Sequence, residues 1–257
     1  MKEAIRYYKK CLSGRGGASL LLVLFGTAFL TVSLHLFLQR RASGGIIAFF
    51  YLLIFLALPL AEEALHIKLP LLGYALIFFL TFGSILGGNF NFYLRIPHWD
   101  TILHALSGLL FSSIGYALCK LLFPIQQNRS IFPSVLFGFV FSLSIALVWE
   151  LFEAGITALF AADMQEDSLL LSFKSFYLSG AHDVPVYISD IRKTVIHYGD
   201  GQVLTLAGYL DLGLSDTLGD MAICFAGSLL LPLLYLPDRL LGGRIFSHLL
   251  PSVTKNE

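Results

Sequence analysis

The chain has 257 residues, 56% of them hydrophobic and 13% charged, with a mean hydropathy of +0.77. A soluble domain carries about 45–50% apolar and about 25% charged residues, so this composition excludes an ordinary soluble enzyme and a disordered chain. The 17 basic and 17 acidic residues cancel, which leaves no basic field for a nucleic-acid partner. Cys11, Cys119 and Cys224 make neither a CxxC pair nor an even set and read as small apolar residues.

A helix needs about 20 apolar residues to cross a bilayer core. In chain order, a short basic segment (1–17) precedes apolar runs at 18–38, 46–66, 69–88, 101–122 and 133–157. A polar segment follows at 158–215, then a last run at 216–235 and a tail at 236–257. The first run exceeds the 7–15 residues or so of a signal-peptide core and has no small-residue cleavage pattern after it, so it is expected to stay as an anchor. Gly87, Gly88 and Asn89 are expected to end the third run. Within 158–215, KTVIHY and QVLTLAGYL flank Gly199-Asp200-Gly201, the pattern of a β-hairpin. The fold expected is an all-α integral membrane protein, a six-helix transmembrane bundle with a small extracytoplasmic insertion.

Orientation follows from the basic residues. With the N-terminus inside, the inner segments hold Lys2, Arg6, Lys9, Lys10, Arg15, Lys68, Lys120, Arg129, Arg239, Arg244 and Lys255. The outer segments hold only Arg40, Arg41, Arg95, Lys174, Arg192 and Lys193. Both termini are therefore expected to be cytoplasmic.

Ionisable residues inside spans are rare, costly and usually functional. The fourth run opens with RIPHWDTILHALSG, which supplies His98, Asp100 and His104; the fifth closes with VWELFEAG, which supplies Glu150 and Glu153; the sixth opens with SDTLGDMA, which supplies Asp216 and Asp220. Asp100/His104 and Asp216/Asp220 are i,i+4 pairs and Glu150/Glu153 an i,i+3 pair, so each pair shares a helix face. In the expected topology all three pairs reach the external side. Five carboxylates and two histidines in a partly dehydrated place need compensation, through protonation, through cations such as Arg95 and charged histidines, or through a divalent metal. Carboxylate and imidazole ligands together suit Zn, Mn or Fe. Capping alone would explain Asp100 or Asp216, but not Glu150, His104 or Asp220.

Other residues read as structural. Glu62, Glu63 and His66 are expected to snorkel at the opposite face, and Trp99 and Trp149 fit an aromatic belt. Ser107 beside His104 is a conceivable nucleophile, although a serine on a span more often bonds its own helix.

NFYLRIPHWDTILHALSG, VWELFEAG and GYLDLGLSDTLGDM in this order resemble the YjdF-type family of bacterial membrane proteins, over about residues 84–230. A looser likeness joins the chain to VanZ-like membrane proteins, which place an Asp and a His early in one span, a Glu in another and an Asp before a small-residue-rich last span. That family is linked to glycopeptide resistance. The resemblance implies a bacterial cytoplasmic membrane protein and supplies no reaction. The functional expectation is a polar site in spans four to six that binds a divalent metal or a lipid headgroup. Metal-assisted hydrolysis or transfer on a membrane lipid or lipid-linked substrate is the natural enzyme class, with Glu150, Asp220 and His104 as candidate catalytic groups. A non-catalytic lipid-binding protein and an ion-coupled transporter are the alternatives.

Overall fold

The computed structural model describes residues 2–123, 130–160 and 162–254. Arg129 and Lys255, counted above for orientation, lie outside the described residues. Among the described residues, six helices are long and apolar enough to cross a membrane: α2 (Gly16–Leu38), α3 (Ala42–Ala64), α4 (Leu71–Phe90), α6 (Trp99–Leu122), α7 (Phe132–Leu159) and α8 (Leu214–Leu240). In a bilayer every backbone N–H and C=O must find its partner inside the segment, and these runs do so as helices while presenting Leu, Ile, Val and Phe outward. Three short helices were not foreseen: α1 (Lys2–Cys11), α5 (Phe92–Arg95) and α9 (Arg244–Leu249). The last long helix continues through Pro232 and Pro237 to Leu240, five residues beyond the expected end.

The chain divides into two compact units, Met1–Leu147 with Ala222–Glu257, and Val148–Met221. In the first unit, α2, α3 and α4 enclose an aromatic core of Phe29, Phe55 and Tyr74 with Leu22, Leu36, Leu52 and Ile85. Phe25 stacks on Phe78 at 3.8 Å between centroids. The third span ends differently from expectation. α4 runs through Gly87, Gly88 and Asn89, and Asn91 caps it in the left-handed conformation at φ 60°, a conformation that Asn tolerates. Gly87 serves another purpose: a Cβ there would overlap the ring of Tyr93.

Small residues set the contact among α6, α7 and α8. A Cβ on Gly108 would strike the carbonyl oxygen of Cys224, one on Gly227 that of Ala105, and one on Gly138 that of Ser112. Lipid tails are as apolar as leucine, so membrane helices associate through close backbone approach and interhelical hydrogen bonds. Both are present here. Ser142 donates to the Gly108 carbonyl at 2.9 Å, Ser228 lies 2.8 Å from the Ser142 hydroxyl, and Ser112 donates to the Ser228 carbonyl at 3.3 Å.

Glu62 departs from the snorkelling expected of it. Its side chain is 1% exposed and ion-paired with Arg15. It accepts hydrogen bonds from Tyr74 Oη at 2.7 Å and from the backbone N–H of Leu69 at 2.5 Å, and Arg15 in turn donates to the Leu69 carbonyl at 2.9 Å. Burial alone would lower the Arg15 pKa; the hydrogen bond and charge of Glu62 outweigh it and hold the guanidinium above its ordinary value. The cluster joins the start of α2, the end of α3 and the turn into α4. Glu63 pairs with Lys68 at 3.1 Å. Beside it, β1 (Ile67–Lys68) pairs antiparallel with β8 (Ser252–Val253).

In the second unit, the anticipated hairpin is formed by β5 (Thr194–Tyr198) and β6 (Gln202–Leu206) around Gly199-Asp200-Gly201. Gly199 and Gly201 both have positive φ, which glycine adopts without steric cost. Two further pairs were not foreseen, β2 (Ser168–Leu170) with β7 (Tyr209–Asp211) and β3 (Phe173–Ser175) with β4 (Val186–Ile188).

Two stability predictions follow from this packing. Gly227→Ala destabilises the folded protein by about 1–3 kcal/mol through overpacking, whereas Gly219→Ala, where nothing lies within 4 Å of the new methyl, does not destabilise it; thermal unfolding in detergent compares the two. Glu62→Gln costs about 3 kcal/mol because it leaves Arg15 without its counter-charge, and the same assay reads it.

Candidate functional site

Within the Val148–Met221 unit, carboxylates on α7 and α8 meet. Glu150 and Glu153 lie on one face of α7, the nearer of them six residues, about 9 Å, before its end. Asp220 lies six residues, again about 9 Å, after the start of α8. The matched offsets put the three side chains level. Glu150 is 4% exposed, and Glu153 and Asp220 are 7% exposed each. One carboxylate oxygen from each lies within 4.8 Å of those of the others.

The local sequence explains the placement. The segment after α7 turns back and is fastened to both helices. Thr157 Oγ1 accepts the N–H groups of Met164 at 3.0 Å and Gln165 at 3.3 Å. Gln165 Nε2 donates to Thr217 Oγ1 at 2.6 Å, and Asp216 Oδ2 accepts the N–H of Glu166 at 3.0 Å. Gly213, at φ 87°, passes so close to Gln165 that a Cβ would overlap that side chain. Asp211 accepts the N–H of Ser215 at 2.7 Å and so satisfies a donor of the first turn of α8.

Trp149 does more than fill an aromatic belt. Its Nε1 donates to Glu153 Oε1 at 2.7 Å, which orients one carboxylate of the trio while the ring stays exposed. Three carboxylates this close repel one another in a low-dielectric place, and a shared cation or shared protons relieve the repulsion. Two of the expected site residues stand elsewhere. Asp216 is turned to the Glu166 backbone and belongs to neither carboxylate-containing group among the described residues. His98 is exposed at the N-cap of α6 with φ 60°.

Asp100 and His104 are brought together in the other unit, with His104 Nε2 3.3 Å from Asp100 Oδ2. The other ring nitrogen, Nδ1, lies 3.6 Å from the Sγ of Cys224. Cys224 was read from the sequence as a small apolar residue. The signal was present: it continues the Asp216–Asp220 stripe by one more turn. Ser107 bonds its own helix, donating to the His104 carbonyl at 2.8 Å.

Residues 18–237 match the family model described as "Predicted membrane protein (DUF2238)". The chain belongs to the DUF2238 family of membrane proteins. The match spans all six long helices except the edges of the first and last. Comparison with curated proteins and with solved structures returns no match.

Thr157→Val removes the acceptor of two backbone N–H groups and is expected to cost about 1–3 kcal/mol locally. Hydrogen exchange checks it: protection at Met164 and Gln165 falls while that of the α2–α4 core stays unchanged.

Proposed function

We propose that this DUF2238 protein is a multi-pass protein of a bacterial cytoplasmic membrane, with both termini inside, that holds a divalent cation on Glu150, Glu153 and Asp220. The observation that carries this reading is the meeting of three buried carboxylates from two helices at equal depth. Ligand oxygens at about 2.0–2.6 Å from a shared ion fall within the mutual separation these oxygens have. An all-oxygen set favours a hard cation, which narrows the Zn, Mn or Fe expected from mixed ligands to Mn²⁺, with Mg²⁺ beside it. Such an ion would polarise a phosphoryl or carbonyl oxygen of a lipid-phase substrate and acidify a bound water, and a carboxylate not needed as ligand would take the proton. Metal-assisted hydrolysis or transfer on a membrane lipid or lipid-linked substrate is the resulting enzyme class. The likeness to YjdF-type and VanZ-like membrane proteins agrees with an envelope role.

A second reading is favoured by Trp149. An exposed indole bonded to a carboxylate offers both a ring face and a negative charge to an ammonium group. A lipid headgroup that carries an amine would then occupy the site without chemistry. The transporter alternative loses one of its three opposite-face groups, since the Glu62 carboxylate is engaged by Arg15, Tyr74 and Leu69, and Glu63 is paired with Lys68.

Metal analysis of the purified protein separates the readings. Stoichiometric Mn²⁺ after equilibration with wild type, and its loss in Glu150→Gln and Asp220→Asn, supports the cation site. Trp149→Phe, which removes the donor to Glu153, weakens Mn²⁺ binding about 10- to 100-fold. Metal absent from wild type, with an amine-bearing lipid co-purifying and lost in the same variants, supports the headgroup reading instead.

A further inference from the structure

The first short helix and the seam beside it take no part in the carboxylate trio, and together they form a site of another kind. We propose that α1, α2 and α3 hold one anionic phospholipid, with an acyl chain in a groove between α2 and α3 and the phosphate on Arg6, Lys9 and Lys10 of α1.

The groove comes from a missing side chain. Gly26 of α2 faces Leu52 and Leu56 of α3, and a Cβ on it would meet their side chains at 3.6 and 3.7 Å, an ordinary contact distance. Glycine leaves that room open. The hollow has a volume of about 420 Å³ and runs along α2 from Ser19 to Leu30, within the range of about 300–1,000 Å³ that ligand sites occupy. Its length, eleven residues of helix at 1.5 Å each, is about 16 Å. Half of a hydrocarbon core about 30 Å thick is about 15 Å, the depth that one acyl chain covers.

The lining suits an alkyl chain and not a polar ligand. Its three hydroxyls are turned to backbone: Ser19 Oγ donates to the Arg15 carbonyl at 3.1 Å, Thr27 Oγ1 to the Leu24 carbonyl at 2.7 Å and Tyr8 Oη to the Leu56 carbonyl at 3.0 Å. The rest of the lining is Leu, Val and Gly.

Tyr8 also ties α1 to the groove. Tyr8 and Cys11 share the face of α1 turned to the protein, one half-buried and the other buried. Arg6, Lys9 and Lys10, at i, i+3 and i+4, share the opposite face and are exposed. None of the three is ion-paired among the described residues, whereas Arg15 is already engaged by Glu62. Three unpaired positive charges thus stand on the helix that closes the groove, where a lipid with its chain in the groove must put its headgroup. Basic residues at a membrane surface attract anionic lipids. A phosphodiester without an ammonium complements them, while a choline headgroup adds a further positive charge. A second copy of the chain is a poor occupant: two copies inserted the same way would set their α1 helices side by side, like charge against like charge.

The full chain in detergent, mixed with phosphatidylglycerol that carries a photoactivatable diazirine in its acyl chain, tests this. Light is expected to label residues 19–30 and 52–56. Unlabelled phosphatidylglycerol competes, and phosphatidylcholine competes at least tenfold less well. Arg6→Gln, Lys9→Gln and Lys10→Gln each weaken labelling about fivefold, and the triple variant about a hundredfold. These side chains are exposed, so folding is not at issue. Gly26→Leu fills the groove and abolishes labelling, while Gly26→Ala, whose methyl fits, keeps it. Label spread evenly over the six long helices, equal competition by phosphatidylcholine, or labelling unchanged in the triple variant overturns the site. Cross-linking of residues 19–30 to a second copy overturns it in favour of a dimer.

Discussion

A charge carried into a spanning helix must be met by another group at the same depth, because a bilayer has no water to meet it. That constraint organises this chain. It places Arg15, Tyr74 and the Leu69 N–H around Glu62, Asp100 beside His104, and Glu150, Glu153 and Asp220 against one another. Apolar side chains can be exchanged around such a helix with little effect on where it sits. The positions of the ionisable groups cannot, since each fixes the rotation and height of its helix against a neighbour.

The constraint works only because the helices approach closely. Gly108, Gly138 and Gly227 bring backbones into contact, and Ser112, Ser142 and Ser228 add hydrogen bonds across the seam. The same closeness brings Cys224 to His104. A bulky residue at Gly108 would push α8 off α6 and pull the sulfur from the ring without touching either. Packing and chemistry are therefore not separable in this part of the molecule.

Much of the fold was legible in the sequence because a membrane span is a local signal: about 20 apolar residues in a row. The pairs Asp100/His104 and Glu150/Glu153 were legible for the same reason, since three- and four-residue spacings fix a helix face. What escaped notice depends on residues far apart in sequence. The burial of Glu62 needs Arg15, forty-seven positions away, and so looked like interfacial snorkelling. The fastening of Gln165 to Thr157 and Thr217 joins two helices through a segment with no periodicity to read. Pairing of Ser168–Leu170 with Tyr209–Asp211 closes a long loop between strands too short to signal themselves. Asp216 followed the right helical face yet turned to a backbone N–H, which no spacing rule distinguishes from a ligand.

The hydrogen bond between Trp149 and Glu153 has an optical consequence. The chain contains two tryptophans; one, Trp99, is packed against Phe79 and Phe92, and the other has its indole nitrogen tied to a carboxylate of the trio. Emission from the second is sensitive to the charge that carboxylate holds, so the molecule carries a built-in fluorophore beside the proposed cation site.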